Sequence, residues 1–397
     1  MKAGGWPSIV LAYVLGVLAV MSLVLMVPLR GDFLTRGGLD AGQYGLLIAL
    51  IGVPAALLAT FSGSLIDRYG PRIMMVSGTV MFAAANLAYT AITSPGLFFM
   101  FRLIEGVALS IVLAAGPTMI MRTTQGKRQV TAMTFWSTAT PVAISLGMLL
   151  SGSFAGTENW RTAFLIFATA LALAGAAGLM LPRLASAGQG NASFPDQIGN
   201  LLAGYRQTSV VKLALVLFLV SSTSLGLNVI LPTYIAQTHA VSVASASGLI
   251  AGANLSMIIG AFLVGLMLTK GVAPRALFAV LAVGAISFAV AIVWPGTTIA
   301  MLALVFAGWS FVLGATQAMI FAVLPRVVDP AAPGLATGVV NQIATLSTFV
   351  APIAFLWVLD AGWQAIAAMI AAVWIAGLAL FWGMRQMARA GEGNTGP

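Results

Sequence analysis

The 397-residue chain has little charge, a single histidine and no cysteine. Charged residues make up 7% of it, against about 25% in an ordinary soluble domain. Without cysteine there are no disulfides, thiolate metal ligands or cysteine nucleophiles. One histidine and nine acids leave little material for metal binding or hydrolysis. We therefore expect no enzyme activity, no metal and no cofactor.

Hydrophobic residues make up 60% of the chain and are grouped into long runs. A helix of roughly 20 apolar residues crosses about 30 Å of hydrocarbon, whereas a barrel strand needs about 9–11 residues of alternating polarity. The sequence predicts an all-α membrane protein with twelve transmembrane helices. The predicted segments are 7–29, 44–66, 73–93, 97–120, 130–154, 162–181, 211–236, 244–268, 276–294, 298–324, 335–359 and 363–385.

Lysine and arginine are distributed unevenly between the predicted loops, as they are in membrane proteins, whose cytoplasmic loops carry an excess of both. If the N-terminus is cytoplasmic, fourteen of the eighteen basic residues lie on that side. They are Lys2, Arg68, Arg72, Arg122, Lys127, Arg128, Arg183, Arg206, Lys212, Lys270, Arg275, Arg326, Arg385 and Arg389. The formal charge of +9 thus indicates membrane orientation, not nucleic-acid binding, with both termini in the cytoplasm.

The two halves of the chain repeat each other at a nearly constant offset. The longest polar break, 182–209, separates six predicted helices from six others. We expect an N-terminal bundle at 1–181, a cytoplasmic linker at 182–209 and a C-terminal bundle with a short tail at 210–397. Matching residues 202 positions apart are Gly63 and Gly265, Arg68 and Lys270, and Gly106 and Gly308; those 203 apart are Pro71 and Pro274, Arg72 and Arg275, and Trp160 and Trp363.

The stretch GSLIDRYGPR, at 63–72, gathers charge between the second and third predicted helices. It resembles G-x-L-x-D-R-x-G-x-R, the signature loop of the major facilitator superfamily. A degenerate copy at 265–275 lies between the eighth and ninth helices, where that superfamily has its second copy. Residues 102–106 resemble its R-x-x-x-G pattern and 160–161 its G-W-R segment. The resemblance covers essentially the whole chain, and it implies a secondary transporter of two six-helix repeats.

The resemblance gives the signature loop a role as a cytoplasmic gate. Glycines at 63 and 70 allow close helix approach and unusual backbone angles. A carboxylate at 67 can accept hydrogen bonds from a helix N-terminus or pair with an arginine of the other half. The alternative is a loop whose arginines only fix orientation. The gate residues so predicted are Gly63, Asp67, Arg68, Gly70 and Arg72.

Ionisable residues inside a bilayer cost about 2.5–3.5 kcal/mol each and are therefore functional candidates. Glu105 is the one carboxylate well inside a predicted helix, and Arg102 shares its face at i,i+3 spacing. Three interpretations stay open. The two residues form a structural ion pair; or Glu105 carries a coupling proton; or Arg102, with Arg30 at the outer end of the first helix, attracts an anionic substrate.

Polar and aromatic residues inside other predicted helices are candidates for a substrate cavity. Amides in lipid need partners, so hydrogen bonds between helices are the alternative explanation for each of them. The resemblance favours residues of helices 7 and 10, which usually line the cavity in this superfamily. The candidates beside Arg30 and Arg102 are Trp136, Asn228, Gln317 and Asn341.

The fifth predicted helix bears on the direction of transport. Drug–proton antiporters of the superfamily usually carry G-P-x-x-G-G there, whereas this chain has Thr140, Pro141 and Val142. This segment and residues 336–352 look more like bacterial carriers of small anions, such as the cyanate and nitroimidazole group. We expect a monomeric carrier in a bacterial inner membrane, moving a small solute with protons as the candidate coupling ion. A drug–proton antiporter and a non-transporting receptor are the alternatives.

Overall fold

The computed structural model describes residues 4–184, 205–324, 327, 339–340 and 342–384. Regular secondary structure in these ranges is helical. The described residues form two compact units, one of 4–184 with 242–248 and the other of 205–241 with the described residues from 249 onward. The predicted linker, 182–209, lies mostly outside the described ranges, so its boundaries stay a prediction.

The first unit contains nine helices within the described residues. The second and fifth predicted segments each comprise two consecutive helices. The helices are α1 (Trp6–Met21), α2 (Arg30–Thr35), α3 (Ala41–Leu50), α4 (Gly52–Tyr69), α5 (Pro71–Tyr89), α6 (Pro95–Thr123), α7 (Gly126–Ser137), α8 (Ala139–Gly152) and α9 (Thr162–Gly178). Within this unit α6 packs against α1, α4 and α5, and α5 also packs against α9.

Seven further helices follow in the described part of the chain. They are α10 (Thr208–Thr238), α11 (Val243–Asn254), α12 (Ser256–Thr269), α13 (Pro274–Ile292), α14 (Ile299–Val323), α15 (Ser347–Leu359) and α16 (Trp363–Trp382). In the second unit α14 packs against α12 and α13, while α10 packs against α15 and α16.

Helix lengths support the prediction of a membrane protein. Eight helical stretches of described residues are long and apolar enough to cross a membrane, and three shorter apolar helices accompany them. Each of the twelve predicted segments contains a helix. The all-helical fold class is confirmed, whereas the number of crossings and the side of the termini stay predictions.

Local sequence signals explain where several of these helices begin. Proline stands in the first turn of α5, α6 and α13, where its missing N–H and fixed φ cost nothing. Asp40 and Gln43 form a reciprocal capping box at the start of α3. The repeat is visible here too, since α5 and α13 are both 19 residues long and start at Pro71 and Pro274.

A break between α3 and α4 fits against a glycine of α6. The two helices are separated at Ile51, and Pro54 follows in the first turn of α4. A Cβ built on Gly106 would lie 2.5 Å from the Ile51 carbonyl oxygen and 2.8 Å from Pro54 Cδ. Only a residue without a Cβ allows this approach, which sets the distance between α6 and the broken helix.

We predict that Gly106→Ala destabilises the folded protein by about 1–3 kcal/mol, because backbone must move to admit the methyl group. The control is Gly252→Ala in α11, where an added Cβ meets no atom within 4 Å. That change should be neutral or stabilising, since alanine favours helix. Unfolding of the purified variants in detergent measures both effects; equal stabilities of the two variants would contradict the packing argument.

Candidate functional site: a buried ion pair in the first unit

Arg102 lies in the interior of the first unit with 0% of its surface exposed. Its Nε donates to the Leu47 carbonyl oxygen at 3.1 Å, and its Nη1 donates to the Ser22 carbonyl oxygen at 2.9 Å. The same Nη1 donates to Glu105 Oε2 at 2.7 Å. The guanidinium is therefore bonded to the segment after α1, to α3 and to its own helix.

Glu105 is equally buried, at 1% exposure, and both of its carboxylate oxygens accept hydrogen bonds. Asn86 Nδ2 donates to Oε1 at 2.7 Å, and the Tyr89 hydroxyl donates to Oε2 at 3.2 Å. With Arg102, this gives three donors to one carboxylate. Such an arrangement favours the ionised carboxylate, because each donor stabilises the negative charge.

Helix ends supply the backbone acceptors that Arg102 needs. The carbonyls in the last turn of a helix lack intrahelical donors, and Ser22 directly follows the last residue of α1. Near the end of α3 the Ile51 N–H donates to Ala49 O, and Leu47 O accepts from Arg102. Interrupted helices thus make it possible to bury a cation away from water.

Two atoms of this network lack hydrogen-bond partners among the described residues, although both are buried. They are Arg102 Nη2, a donor, and Asn86 Oδ1, an acceptor. The Asn86 amide nitrogen is used twice, since it also donates to the Phe82 carbonyl oxygen at 2.9 Å. The network therefore keeps spare donor and acceptor capacity beside the ion pair.

Sequence reasoning found Arg102 and Glu105 but missed Asn86 and Tyr89. A usable signal existed: both residues lie in one apolar segment at i,i+3 spacing, so they share a helix face. Tyr89 is also fixed by aromatic rings, stacking on Phe98 at 5.8 Å between centroids and tilting against Phe164 at 5.4 Å.

Arg30 begins α2, at the predicted outer end of the first helix. It is half-buried, its guanidinium carbon is 5.9 Å from the centroid of the Tyr44 ring, and its Nε has no partner among the residues described. Nothing in the described contacts joins Arg30 to Glu105. Tyr44 nevertheless interacts electrostatically with both Arg30 and Arg102, so the two arginines of the predicted anion-attracting pair lie near the same side chain.

Trp136, the predicted aromatic wall, is half-buried in α7. Its ring fills a slot left by two glycines: added Cβ atoms would lie 2.4 Å from it at Gly16 and 2.1 Å from it at Gly116. Next to it, Tyr13 stacks on Phe135 at 4.1 Å and bonds the Thr138 hydroxyl at 3.0 Å. Packing accounts for much of the Trp136 side chain, and its cavity role stays a prediction.

Two amides of the second unit, Asn228 and Asn254, are hydrogen-bonded, although the buried Asn254 Oδ1 has no partner among the described residues. Asn254 Nδ2 donates to Asn228 Oδ1 at 2.9 Å, and Asn228 Nδ2 donates to the Ser224 carbonyl oxygen at 2.9 Å. This bond joins α10 to α11. Gln317 is half-buried in α14, and Asn341 lies outside the described residues. The predicted roles of these residues in substrate binding stay untested.

The predicted gate loop is reduced to one residue between two helices. Gly70 separates α4 from α5 with φ of +83°, a backbone conformation that side chains with a Cβ rarely adopt. Arg68 is exposed and its guanidinium carbon is 5.3 Å from the Tyr69 ring centroid; Arg72 is half-buried. Gly63 and Asp67 belong to α4, but the Asp67 side chain lies outside what is described.

A second ion pair lies on the predicted outer face of the same unit. Asp32 is 3% exposed; its Oδ1 is 3.1 Å from Arg36 Nη1 and its Oδ2 accepts from the Gly156 N–H at 2.9 Å. Arg36 also donates to the Thr157 carbonyl oxygen. Burial raises the pKa of the Asp32 carboxyl above 3.8, and the opposing effects of the Gly156 N–H and Arg36 do not cancel this rise.

Comparison with known proteins identifies the class to which this fold belongs. The helical fold is similar to the crystal structure of a mutant form of the nucleoside transporter NupG, with a TM-score of 0.76, 14% identity and coverage of 94% of this chain and 99% of that one. It is also similar to a bacterial homolog of the human lysosomal transporter Spinster in an inward-facing and occupied conformation, with a TM-score of 0.69, 14% identity and 96% and 94% coverage. The chain thus shares its fold with both of these proteins.

The sequence pattern of the Major Facilitator Superfamily matches residues 9–352. The chain belongs to this superfamily, and it is an integral, multi-pass membrane protein. The superfamily membership expected from the signature loop is confirmed, whereas the role of that loop as a gate stays a prediction.

More closely related sequences come from drug-resistance proteins. Multidrug resistance protein 2 of Bacillus subtilis (strain 168) is 26% identical over 158 residues, which are 39% of this chain and 38% of that protein. Quinolone resistance protein NorB of Staphylococcus aureus (strain JH9) is 23% identical over 159 residues, 40% of this chain and 34% of that protein. The chain therefore aligns with less than two fifths of either protein's length. The resemblance to cyanate-type carriers gains no support from these relatives.

We predict that Asp32→Asn changes how stability depends on pH. An acid whose pKa is raised on folding binds its proton more tightly when folded, so its contribution to stability falls as pH rises from about 3.8 through the folded pKa. The advantage of the native protein over Asp32→Asn should therefore shrink between pH 4 and neutrality. Glu158→Gln, in an exposed position of the neighbouring loop, is the control. A constant difference in unfolding free energy across this range would contradict the assignment.

Proposed function

We propose that the protein is a secondary active transporter that carries a small organic anion with protons across a bacterial inner membrane by alternating access. Membership of the superfamily supports the transporter class. The observation that carries the proposal is the Arg102–Glu105 pair, which is buried, lies at membrane depth and keeps the Arg102 Nη2 donors free of described partners. Ionisable groups at that depth are costly and are retained for function.

Charge balance links the proton to the anion. When Glu105 is ionised, the pair is neutral. When Glu105 takes up a proton, Arg102 keeps its bonds to the Leu47 and Ser22 carbonyl oxygens, but its positive charge loses its counterion. An uncompensated buried charge is strongly unfavourable. A carboxylate substrate could then replace Glu105, since guanidinium groups bind carboxylates with paired hydrogen bonds.

This replacement makes binding of the proton and binding of the anion mutually favourable. Such reciprocity is a general property of linked equilibria. If the loaded and the empty carrier change access but the half-loaded one does not, downhill proton movement drives anion uptake. Arg30 adds positive charge near the outer end of the unit, which raises the local concentration of anions.

Drug–proton antiport is the second candidate, and the resistance-protein relatives favour it. A lipophilic cation would compete with the proton for Glu105 instead of accompanying it. Helix α8, however, begins Ala139, Thr140, Pro141 and Val142, without the glycines usual in such antiporters. Because the aligned segment covers less than two fifths of either relative, we prefer anion uptake and make efflux an outcome of the experiment.

We propose that the protein is a carrier and not an enzyme, because its superfamily match points to transport. The loop around Gly70 acts as the cytoplasmic gate, and its residues are Gly63, Asp67, Arg68, Gly70 and Arg72. The functional unit is a monomer.

We predict that Glu105→Gln loses accumulation against a gradient and retains exchange. In proteoliposomes, the native protein should accumulate members of a panel of labelled carboxylates when the outside is acidic, and collapse of the proton gradient should stop it. Glu105→Gln should still exchange labelled for unlabelled carboxylate, since exchange needs no net proton movement. Glu158→Gln is the matched control and should behave like the native protein.

The other outcomes separate the alternatives. Unchanged accumulation by Glu105→Gln would contradict proton coupling through this residue. A variant that merely fails to fold would favour the structural ion pair. If no carboxylate is accumulated and expression lowers ethidium retention in efflux-deficient cells, the protein is a drug–proton antiporter.

A further inference from the structure

We propose that Tyr89 and Asn86 are positioning residues that set the pH at which Glu105 takes up its proton. The inference rests on the proposed role of Glu105 in proton coupling and concerns residues that the superfamily motifs in this chain do not contain. Both residues belong to α5, whereas Arg102 and Glu105 belong to α6. Two residues of α5 therefore influence the protonation of a carboxylate that belongs to α6.

The geometry assigns each residue one oxygen of the carboxylate. Asn86 Nδ2 is 2.7 Å from Oε1, and the Tyr89 hydroxyl is 3.2 Å from Oε2. Both groups donate, and a donor stabilises the ionised carboxylate more than the neutral acid. Proton uptake has to overcome these two bonds as well as the attraction of Arg102, so removing either donor makes uptake easier.

The two residues are held in place independently of Glu105, which makes them positioning groups. Asn86 Nδ2 also donates to the Phe82 carbonyl oxygen within α5. The Tyr89 ring is fixed by its neighbours Phe98 and Phe164. These contacts hold both side chains without help from the carboxylate. The two donors therefore keep the same positions when Glu105 loses its proton.

The surroundings contain few other groups that could set this pH. Arg102 faces Glu105 from the same helix, and Tyr89 faces it from α5. On α3, Tyr44 lies beyond Arg102 and donates to the carbonyl oxygens of Met26 and Val27 at 3.4 and 3.3 Å. On α1, Tyr13 is occupied with Thr138. Among the described contacts, Glu105 receives its donors from Arg102, Asn86 and Tyr89.

The two donors also differ in what each can offer a protonated Glu105. The Tyr89 oxygen can accept a hydrogen bond as well as donate one. It can therefore accept from the protonated Glu105 by rotating its O–H, without moving its ring. Asn86 would have to rotate its amide to present Oδ1, which has no described partner at present. This rotation would break the bond to Phe82. Tyr89 is therefore the partner that suits both protonation states.

The test titrates Glu105 directly, without any substrate. The carboxylic acid carbonyl band of the full-length protein in liposomes is followed by infrared difference spectroscopy between pH 3 and 9. The part of this band that disappears in Glu105→Gln belongs to Glu105. We predict that Tyr89→Phe, which keeps the ring, moves the midpoint of that band up by about one pH unit, and that Asn86→Leu moves it by at least as much.

The control is Tyr13→Phe, which removes a hydroxyl bonded to Thr138 in the same unit, and it should leave the midpoint unchanged. A Glu105 band whose midpoint is the same in Tyr89→Phe and Asn86→Leu as in the native protein would overturn the inference while leaving proton coupling intact. If the native protein shows no Glu105 band in this range, both the inference and the proposed coupling role are wrong. A change in thermal stability alone, without a shifted midpoint, would indicate a merely structural role.

Discussion

The positive charge of Arg102 has to be satisfied inside a membrane protein, without water, and the first unit is arranged around that requirement. Its described partners are one carboxylate and two backbone carbonyls, from Glu105, Ser22 and Leu47. The carbonyls come from places where α1 and α3 end. The ends of these helices supply acceptors for the buried cation, and the cation supplies donors for these carbonyls. Gly106, next to the carboxylate, lets the broken helix come close enough for these contacts. Removing Glu105 would leave the charge of Arg102 buried without a counterion, at a cost of several kcal/mol.

The two halves share helix packing but differ in chemistry. Gly308 stands 202 positions after Gly106, and an added Cβ there would lie 2.4 Å from the Phe288 ring. Phe288 itself stands 202 positions after Asn86. An aromatic ring thus stands where the first unit has the amide that donates to Glu105, and Gly308 approaches this ring, whereas Gly106 approaches the break between α3 and α4. The second unit instead joins α10 to α11 through the amides of Asn228 and Asn254. Among the described residues, the first unit therefore contains the buried ion pair of Arg102 and Glu105, and the second unit contains the uncharged pair of Asn228 and Asn254.

Much of the fold could be predicted from hydropathy, because lipid leaves helices or closed barrels as the means of crossing a membrane. The i,i+3 spacing likewise predicts that Arg102 and Glu105 are neighbours, since helix geometry places residues three apart on the same face. The backbone partners could not be predicted, because whether Ser22 or Leu47 has a free carbonyl depends on where a helix is interrupted. The packing of Trp136 could not be predicted either, because Gly16 and Gly116, which leave room for its ring, are far from it in sequence.

The most direct test of the central claim is a double-mutant cycle on the free energy of unfolding, with Arg102→Met, Glu105→Gln and the two changes combined. If Arg102 depends on Glu105 for compensation of its charge, each single change leaves a charge buried alone, and the combined change removes both. The account predicts that the double variant loses about 2 kcal/mol less than the sum of the two single losses. Losses that add to within about 0.5 kcal/mol would contradict it.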